Sequence, residues 1–325
     1  MRRSVDRKAE DPLDEVEGPA RETRYSAREI AAQAGVDVGL VVDAHAALGL
    51  ARVDPQARCL GEADLALARR LRAALDAGLP AERVIDVNRV IGRAMAQVAT
   101  AARLLDGDAS AGRPPAPQAE RMTTAVQALA PSLEHALSLH LRELGRSDTL
   151  DAAALASGAP VSVGFADLVG LGWLGGELPA DELGRVARRL EDLAGSALQP
   201  PVRMVKTVCD AVMLVSPGPA ALVRSLLELV EAAGAEDEGF PRLRAGVASG
   251  DARELNGDVY GRAVTIAGRL TAIARPGSVL VDAATHDAVG RDLAWSFAGE
   301  RRIKGLPGGH KLFRARRPPP ARPAG

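Results

Sequence analysis

Two aspartates stand where lone carboxylates can hold a metal. Asp167 follows the apolar run VSVGFA and precedes the Gly-rich stretch LVGLGWLGGE, while Asp210 sits in the polar break between VKTV and AVMLV. Both neighbourhoods read as strand ends, and two carboxylates on adjacent strand ends make a hard oxygen site for Mg²⁺ or Mn²⁺, which binds through one or two carboxylates plus substrate phosphates. The Gly-rich turn, from Gly170 onward, offers bare backbone N–H groups to such phosphates. An Asp in a turn is also an ordinary turn former, so the pair alone leaves both readings open.

The elements that must position these residues change character along the chain. Residues 1–20 are polar and mixed in charge, which predicts a disordered tail. Over residues 21–105 the period is helical: Ser26 can cap a helix carrying Ile30, Ala31 and Ala34, Gly35 can end it, and apolar stripes continue through Val41-Val42, Leu65–Leu75 and Val84–Val98. Residues 106–153 combine a hinge, DGDASAGRPPAPQ, with a connector helix carrying Val126, Leu129, Leu133, Leu137 and Leu141. From 154 to 316, strand-like runs alternate with helical ones, an α+β layout in which VRMVKTVCDAVMLV predicts a hairpin with Lys206 and Asp210 near its turn. Residues 317–325 read as a second disordered tail.

Composition excludes several classes. The 325 residues suffice for two domains, and 41 basic against 42 acidic side chains, a net charge of −1, rule out nucleic-acid or membrane binding by bulk electrostatics. Cys59 and Cys209 cannot make a disulfide scaffold, and Cys209 reads as a buried inert thiol. The start of the chain lacks an apolar signal core and no long apolar span follows, so a cytoplasmic location is expected. None of the phosphate-loop, nucleophile-elbow or zinc-helix motifs occurs. The five histidines, His45, His135, His140, His286 and His310, show no ligand spacing; His135 and His140 stand about 140° apart around a helix. Met95, Met122, Met204 and Met213 read as core fillers, and Trp173 as either a lid or a packing anchor.

The order FADLVG, VKTVCDAVM, LRAGVASG, NGDVYGRAVTIAGRLTAIARPGSVLVD and RRIKGL resembles the catalytic domain of class III nucleotide cyclases, the adenylate and guanylate cyclases. The helical half, YSAREIAAQAGVDVGLVVDAHAALGL through NRVIGRAMAQVA, is similar to the regulatory domain ahead of such catalytic domains in actinobacterial, pH-responsive adenylate cyclases. The resemblance implies an N-terminal all-α regulatory domain followed by a ferredoxin-like βαββαβ catalytic domain, working as a homodimer with sites at the subunit interface. It implies that Asp167 and Asp210 bind two Mg²⁺ or Mn²⁺ ions per site, that Lys206 and Asp258 read the purine, that Arg269 stabilises the transition state, and that Lys304 contacts the terminal phosphates. Adenine offers an acceptor at N1 and a donor at N6, matching a Lys and an Asp, so the expected substrate is ATP.

Three departures from the family pattern stand out. Thr265 replaces an Asn, Cys209 replaces a Gly directly before the second metal aspartate, and the Gly170-Leu171-Gly172 loop lacks its usual hydroxyl. If the turn at Cys209 needs φ > 0, its side chain costs on the order of a kcal/mol. A homologue that binds nucleotide without turnover is therefore the alternative. A third reading comes from SAREIAAQAGVDVGLVVDAHAALGL, which resembles a MerR-like helix-turn-helix. Its second helix has no Lys or Arg and carries Asp37 and Asp43, the wrong sign for DNA phosphates.

Overall fold

The structure is a computed structural model that describes residues 24–108, 118–146, 160–170, 179–237, 239–304 and 307–318. The tail expected at 1–20, residues 319–325 of the tail expected at 317–325, most of the hinge, Leu171, Gly172 and Trp173 lie outside the described residues. Two compact units divide the chain, Met1–Leu139 and His140–Gly325.

In the first unit, α1 (Ala27–Ala34) begins with a reciprocal capping box: Glu29 N–H donates to Ser26 Oγ at 3.2 Å and Ser26 N–H to Glu29 Oε2 at 2.7 Å. Gly35, at φ 69°, closes it in the left-handed conformation. Asp37 then caps α2 (Val38–Ala47) through the N–H of Gly39 at 2.8 Å and of Leu40 at 3.3 Å, so its charge serves the helix start. Together with α3 (Glu62–Asp76) and α4 (Ala81–Asp108), these helices bury Ile30, Val41, Val42, Leu65, Leu71 and Ile85. Each such side chain contributes about 1.5–3 kcal/mol of burial. The hinge expected from Asp106 begins inside α4, and α5 (Gln118–Arg146) follows. Val126, Leu137 and Leu141 of α5 are exposed, as is Met95 of α4, which is therefore not the expected core filler.

The second unit is one mixed sheet with helices on both faces. Its order of elements is β1 (Pro160–Leu168), α6 (Ala180–Ala197), β2 (Arg203–Val208), β3 (Ala211–Ser216), α7 (Pro219–Gly234), β4 (Leu243–Leu255), β5 (Asp258–Gly261), α8 (Arg262–Ile273), β6 (Val279–Asp282), α9 (Ala283–Val289), β7 (Ala294–Arg301) and β8 (His310–Arg316). The sheet runs β2-β3-β1-β4-β6-β8-β7, with β5 paired to β4 off this path. The antiparallel β2-β3-β1-β4 half is the ferredoxin-like βαββαβ arrangement. Strand β6 joins β4 in parallel, and β8 and β7 continue antiparallel.

Helices α6, α7 and α9 cover one face over Leu190, Leu222, Leu226, Leu243 and Val281, while α8 covers the other over Val161, Val163, Met213 and Leu280. Close approach of α8 requires glycine at Gly246, where a Cβ would lie 2.7 Å from Ala267 O and run into the backbone of Thr271. That contact fixes α8, and with it Thr265 and Arg269, over β4 and its neighbour β1, the strand that carries Asp167.

Candidate active site

Asp167 is the penultimate residue of β1, and Asp210 lies in the two-residue turn joining β2 to β3. The register puts Asp167 opposite Ala211, and Leu168 N–H donates to Asp210 O at 3.0 Å, so the two aspartates adjoin at one end of neighbouring strands. Both are half-buried. Gly170 follows at φ 90°, with open space where a Cβ would point, so its backbone is bare.

The sequence offered no hint of Arg244, which lies directly opposite Asp167 in the β1–β4 ladder. Its Nε and Nη2 donate to Asp167 Oδ2 at 2.9 and 2.6 Å, and its Nη1 donates to Ala272 O at 2.9 Å. The guanidinium thus ties β1, β4 and the end of α8 together. Both donations to the carboxylate converge on Oδ2. A hard donor set of two adjoining carboxylates, with Oδ1 outside the Arg244 pair, fits a divalent cation that takes its remaining ligands from phosphates. Among the described residues no cluster of three or more His, Cys, Asp or Glu side chains forms a closed metal cage.

Cys209, directly before Asp210, adopts φ 54° and is exposed, so the buried thiol expected at this position is not found. An L-residue other than Asn or Asp is strained there by about 1–2 kcal/mol.

A second cluster forms at the β2 edge. Lys206 Nζ donates to Asp258 Oδ2 in a short ion pair, joining residues from β2 and β5. Burial pushes the Asp258 carboxyl up, but the hydrogen bond from Lys206, the Val259 N–H at 2.8 Å, the Lys206 charge and Tyr260 together hold it below the usual carboxylate range. The hairpin bearing Asp258 turns through Asn256 and Gly257, at φ 56° and 73°, a pair of left-handed residues that matches the twist of its strands.

Thr265 and Arg269 stand one turn apart on the exposed face of α8. Arg269 has no carboxylate partner among the described residues, and Thr265 Oγ1 donates to the carbonyl of Gly261, the residue just before α8, 3.5 Å away. Lys304 is exposed, just after β7. No described hydrogen bond or ion pair joins Thr265, Arg269 or Lys304 to either carboxylate cluster.

Comparison with known proteins bears on the whole chain. Residues 5–144 match the family model described as the adenylate cyclase regulatory domain. Among solved structures, an adenylyl cyclase from P. aeruginosa matches at a TM-score of 0.43 and 17% identity, over 50% of this chain and 95% of that one. An adenylate cyclase of Streptomyces coelicolor is 33% identical over 272 residues, 81% of this chain and 71% of that protein. A pH-sensitive adenylate cyclase of Mycobacterium tuberculosis is 40% identical over 314 residues, 91% of this chain and 79% of that protein. With both relatives matched across the helical and the α+β units, the chain belongs to the adenylate cyclase family.

Proposed function

We propose that the chain converts ATP into cyclic AMP and pyrophosphate in the cytoplasm, at two composite sites of a homodimer, under control of its helical unit. The observation that carries this reading is the meeting of Lys206 and Asp258. A donor and an acceptor side by side complement the N1 acceptor and N6 donor of adenine, whereas guanine presents the reverse at both positions.

In this reading Asp167 and Asp210 would hold two Mg²⁺ or Mn²⁺ ions, which supply Lewis-acid charge at the phosphoryl oxygens and lower the pKa of the ribose 3′-hydroxyl. The remaining work falls to the chain's own groups. Lys206 and Asp258 orient the base. Arg269, a planar cation with no carboxylate partner among the described residues, stabilises the charge that develops on the transferring phosphoryl group. Thr265 offers a hydroxyl donor one turn away, Gly170 a bare N–H, and Lys304 a charge for the terminal phosphates. The strain at Cys209 favours the second reading, a nucleotide-binding homologue with little or no turnover.

Mixed dimers test the composite site. Asp210→Ala and Arg269→Ala should each be nearly inactive, because every site in either homodimer lacks one essential group. Co-expressed in equal amounts they should recover about a quarter of wild-type cyclic AMP formation, since half the dimers are mixed and each regains one of two sites. No recovery, with mixed dimers shown to be present, rejects the shared site. Binding of ATP by a wild type that makes no cyclic AMP selects the second reading. Removal of the residues before about Leu150 should raise activity, and in the full chain replacement of His135 or His140, both exposed on α5, should shift the pH response.

A further inference from the structure

The base-reading pair spans two elements that no backbone ladder connects. Among the described residues β2 is paired to β3 and β5 to β4, and no ladder runs between β2 and β5. The distance between Lys206 and Asp258 is therefore set by side chains.

A bulge in β2 makes that possible. Arg203 lies opposite Val215 and Lys206 opposite Met213, with the register shift between Met204 and Lys206. Val215 and Met213 belong to the same face of β3, so Arg203 and Lys206, three positions apart, also share one face. A regular strand would have sent them to opposite sides. With both aimed the same way, Arg203 Nη2 donates to Glu254 Oε2 at 2.8 Å while Lys206 holds Asp258. Glu254 lies opposite Val259, next to Asp258, so the two ion pairs fasten both strands of the β4–β5 hairpin to the β2 edge.

The two pairs differ in what substrate does to them. An adenine seated on Lys206 and Asp258 takes the ammonium and the carboxylate for itself, and the Lys206–Asp258 bond is given up. Arg203 and Glu254 touch neither group and remain as the tie between β2 and the hairpin.

We propose that Arg203 and Glu254 are positioning residues for base recognition: their ion pair keeps Lys206 and Asp258 at the spacing of an adenine edge and so sets the preference for ATP over GTP. The proposal rests on the reading of Lys206 and Asp258 as base readers. Arg203 and Glu254 act through them and make no contact with the reacting atoms.

The test uses the full chain, with equilibrium binding of mant-labelled ATP and GTP measured beside cyclic nucleotide formation, so that a slow enzyme still gives a result. Glu254→Gln and Arg203→Gln should each weaken ATP binding and raise its KM about two- to fivefold, the range a half-exposed ion pair supplies. The ATP-over-GTP preference should fall by a similar factor, with kcat within about twofold of wild type. The exchanged pair, Arg203→Glu with Glu254→Arg, should restore both affinity and preference. The proposal is overturned if the single variants keep wild-type KM and preference, or if the exchange does no better than the singles. Lys206→Ala and Asp258→Ala separate the two claims. If neither alters the ATP-over-GTP preference, the base-reading assignment itself has failed. If they alter it while Glu254→Gln does not, only the positioning role has failed.

Discussion

Asp167 and Asp258 each face a cation, and the two contacts are built differently. Asp167 and Arg244 are direct neighbours in the β1–β4 ladder, so backbone hydrogen bonds place both side chains, and a third donation to Ala272 O fixes the guanidinium. Asp258 and Lys206 come from strands without a common ladder and hold each other through flexible side chains. A cross-strand pair is positioned before any ligand arrives. The other pair is adjustable, and adjustment is what a site needs where substrate must replace an internal contact.

The largest effects should separate these two corners by kinetics. Asp167→Asn should lower kcat by three or more powers of ten with a small change in ATP binding, whereas Asp258→Asn should act mainly on KM and base preference. Steady-state cyclic AMP formation and mant-ATP binding for both variants check this, and equal kcat losses would erase the distinction. Next in size, Thr265→Asn should raise kcat about tenfold to a hundredfold, by giving the exposed face of α8 an amide donor beside Arg269. An unchanged rate would show that the hydroxyl already does that work.

A pH comparison sharpens the electrostatic side. Asp258, held low by its partners, contributes stability that is present above the unfolded carboxylate pKa and is lost as pH falls through its folded value. Asp282 is the reverse case. Burial pushes its carboxyl up, against hydrogen bonds from Thr285 that include the N–H at 2.9 Å, so its contribution is present in acid and is lost as pH rises through the folded pKa. Asp282→Asn, which keeps a capping side chain at the start of α9, should therefore raise Tm at neutral pH, with the gain shrinking towards acid. Asp258→Asn should lower Tm at neutral pH, with the loss shrinking towards acid. Thermal melts at several pH values read both signs.

The smallest effect concerns the two left-handed residues other than glycine among the described residues. Cys209→Gly should stabilise the chain by about 0.5–1 kcal/mol, because the strain relieved exceeds the entropy Gly adds to the unfolded state. Asn256→Gly, at nearly the same φ, should change Tm little, since Asn tolerates that conformation.

Much of this architecture was legible in the residues. Ser26 and Gly35 marked the ends of α1, the polar break in VRMVKTVCDAVMLV marked the β2–β3 hairpin, and the alternation of strand-like and helical runs gave the α+β class. Arg244 escaped notice because its role depends on which residue faces it across a ladder, and register between strands distant in sequence is not written locally. The bulge at Val205 left no signal either: RMVKTV reads as a regular strand, and that reading would have placed Arg203 and Lys206 on opposite faces. Asn256-Gly257 did carry a hairpin signal, hidden inside a longer family motif. The apolar positions of α5 announced a helix without announcing what they would face.

The pairing of β1 with β4 also governs the order in which the protein can assemble. Residues 160–168 meet residues 243–251, and β4 is the strand that joins β1 on one side to β6 on the other. A ribosome delivers the helical unit, the β2–β3 hairpin and α7 before it delivers that strand. The local contacts of the helices form early and cheaply in entropy, while the sheet must wait to close its longest loop at its centre. A nascent chain halted just before β4 therefore exposes the edge of β1 and the apolar face of α7 together, the kind of surface that favours aggregation.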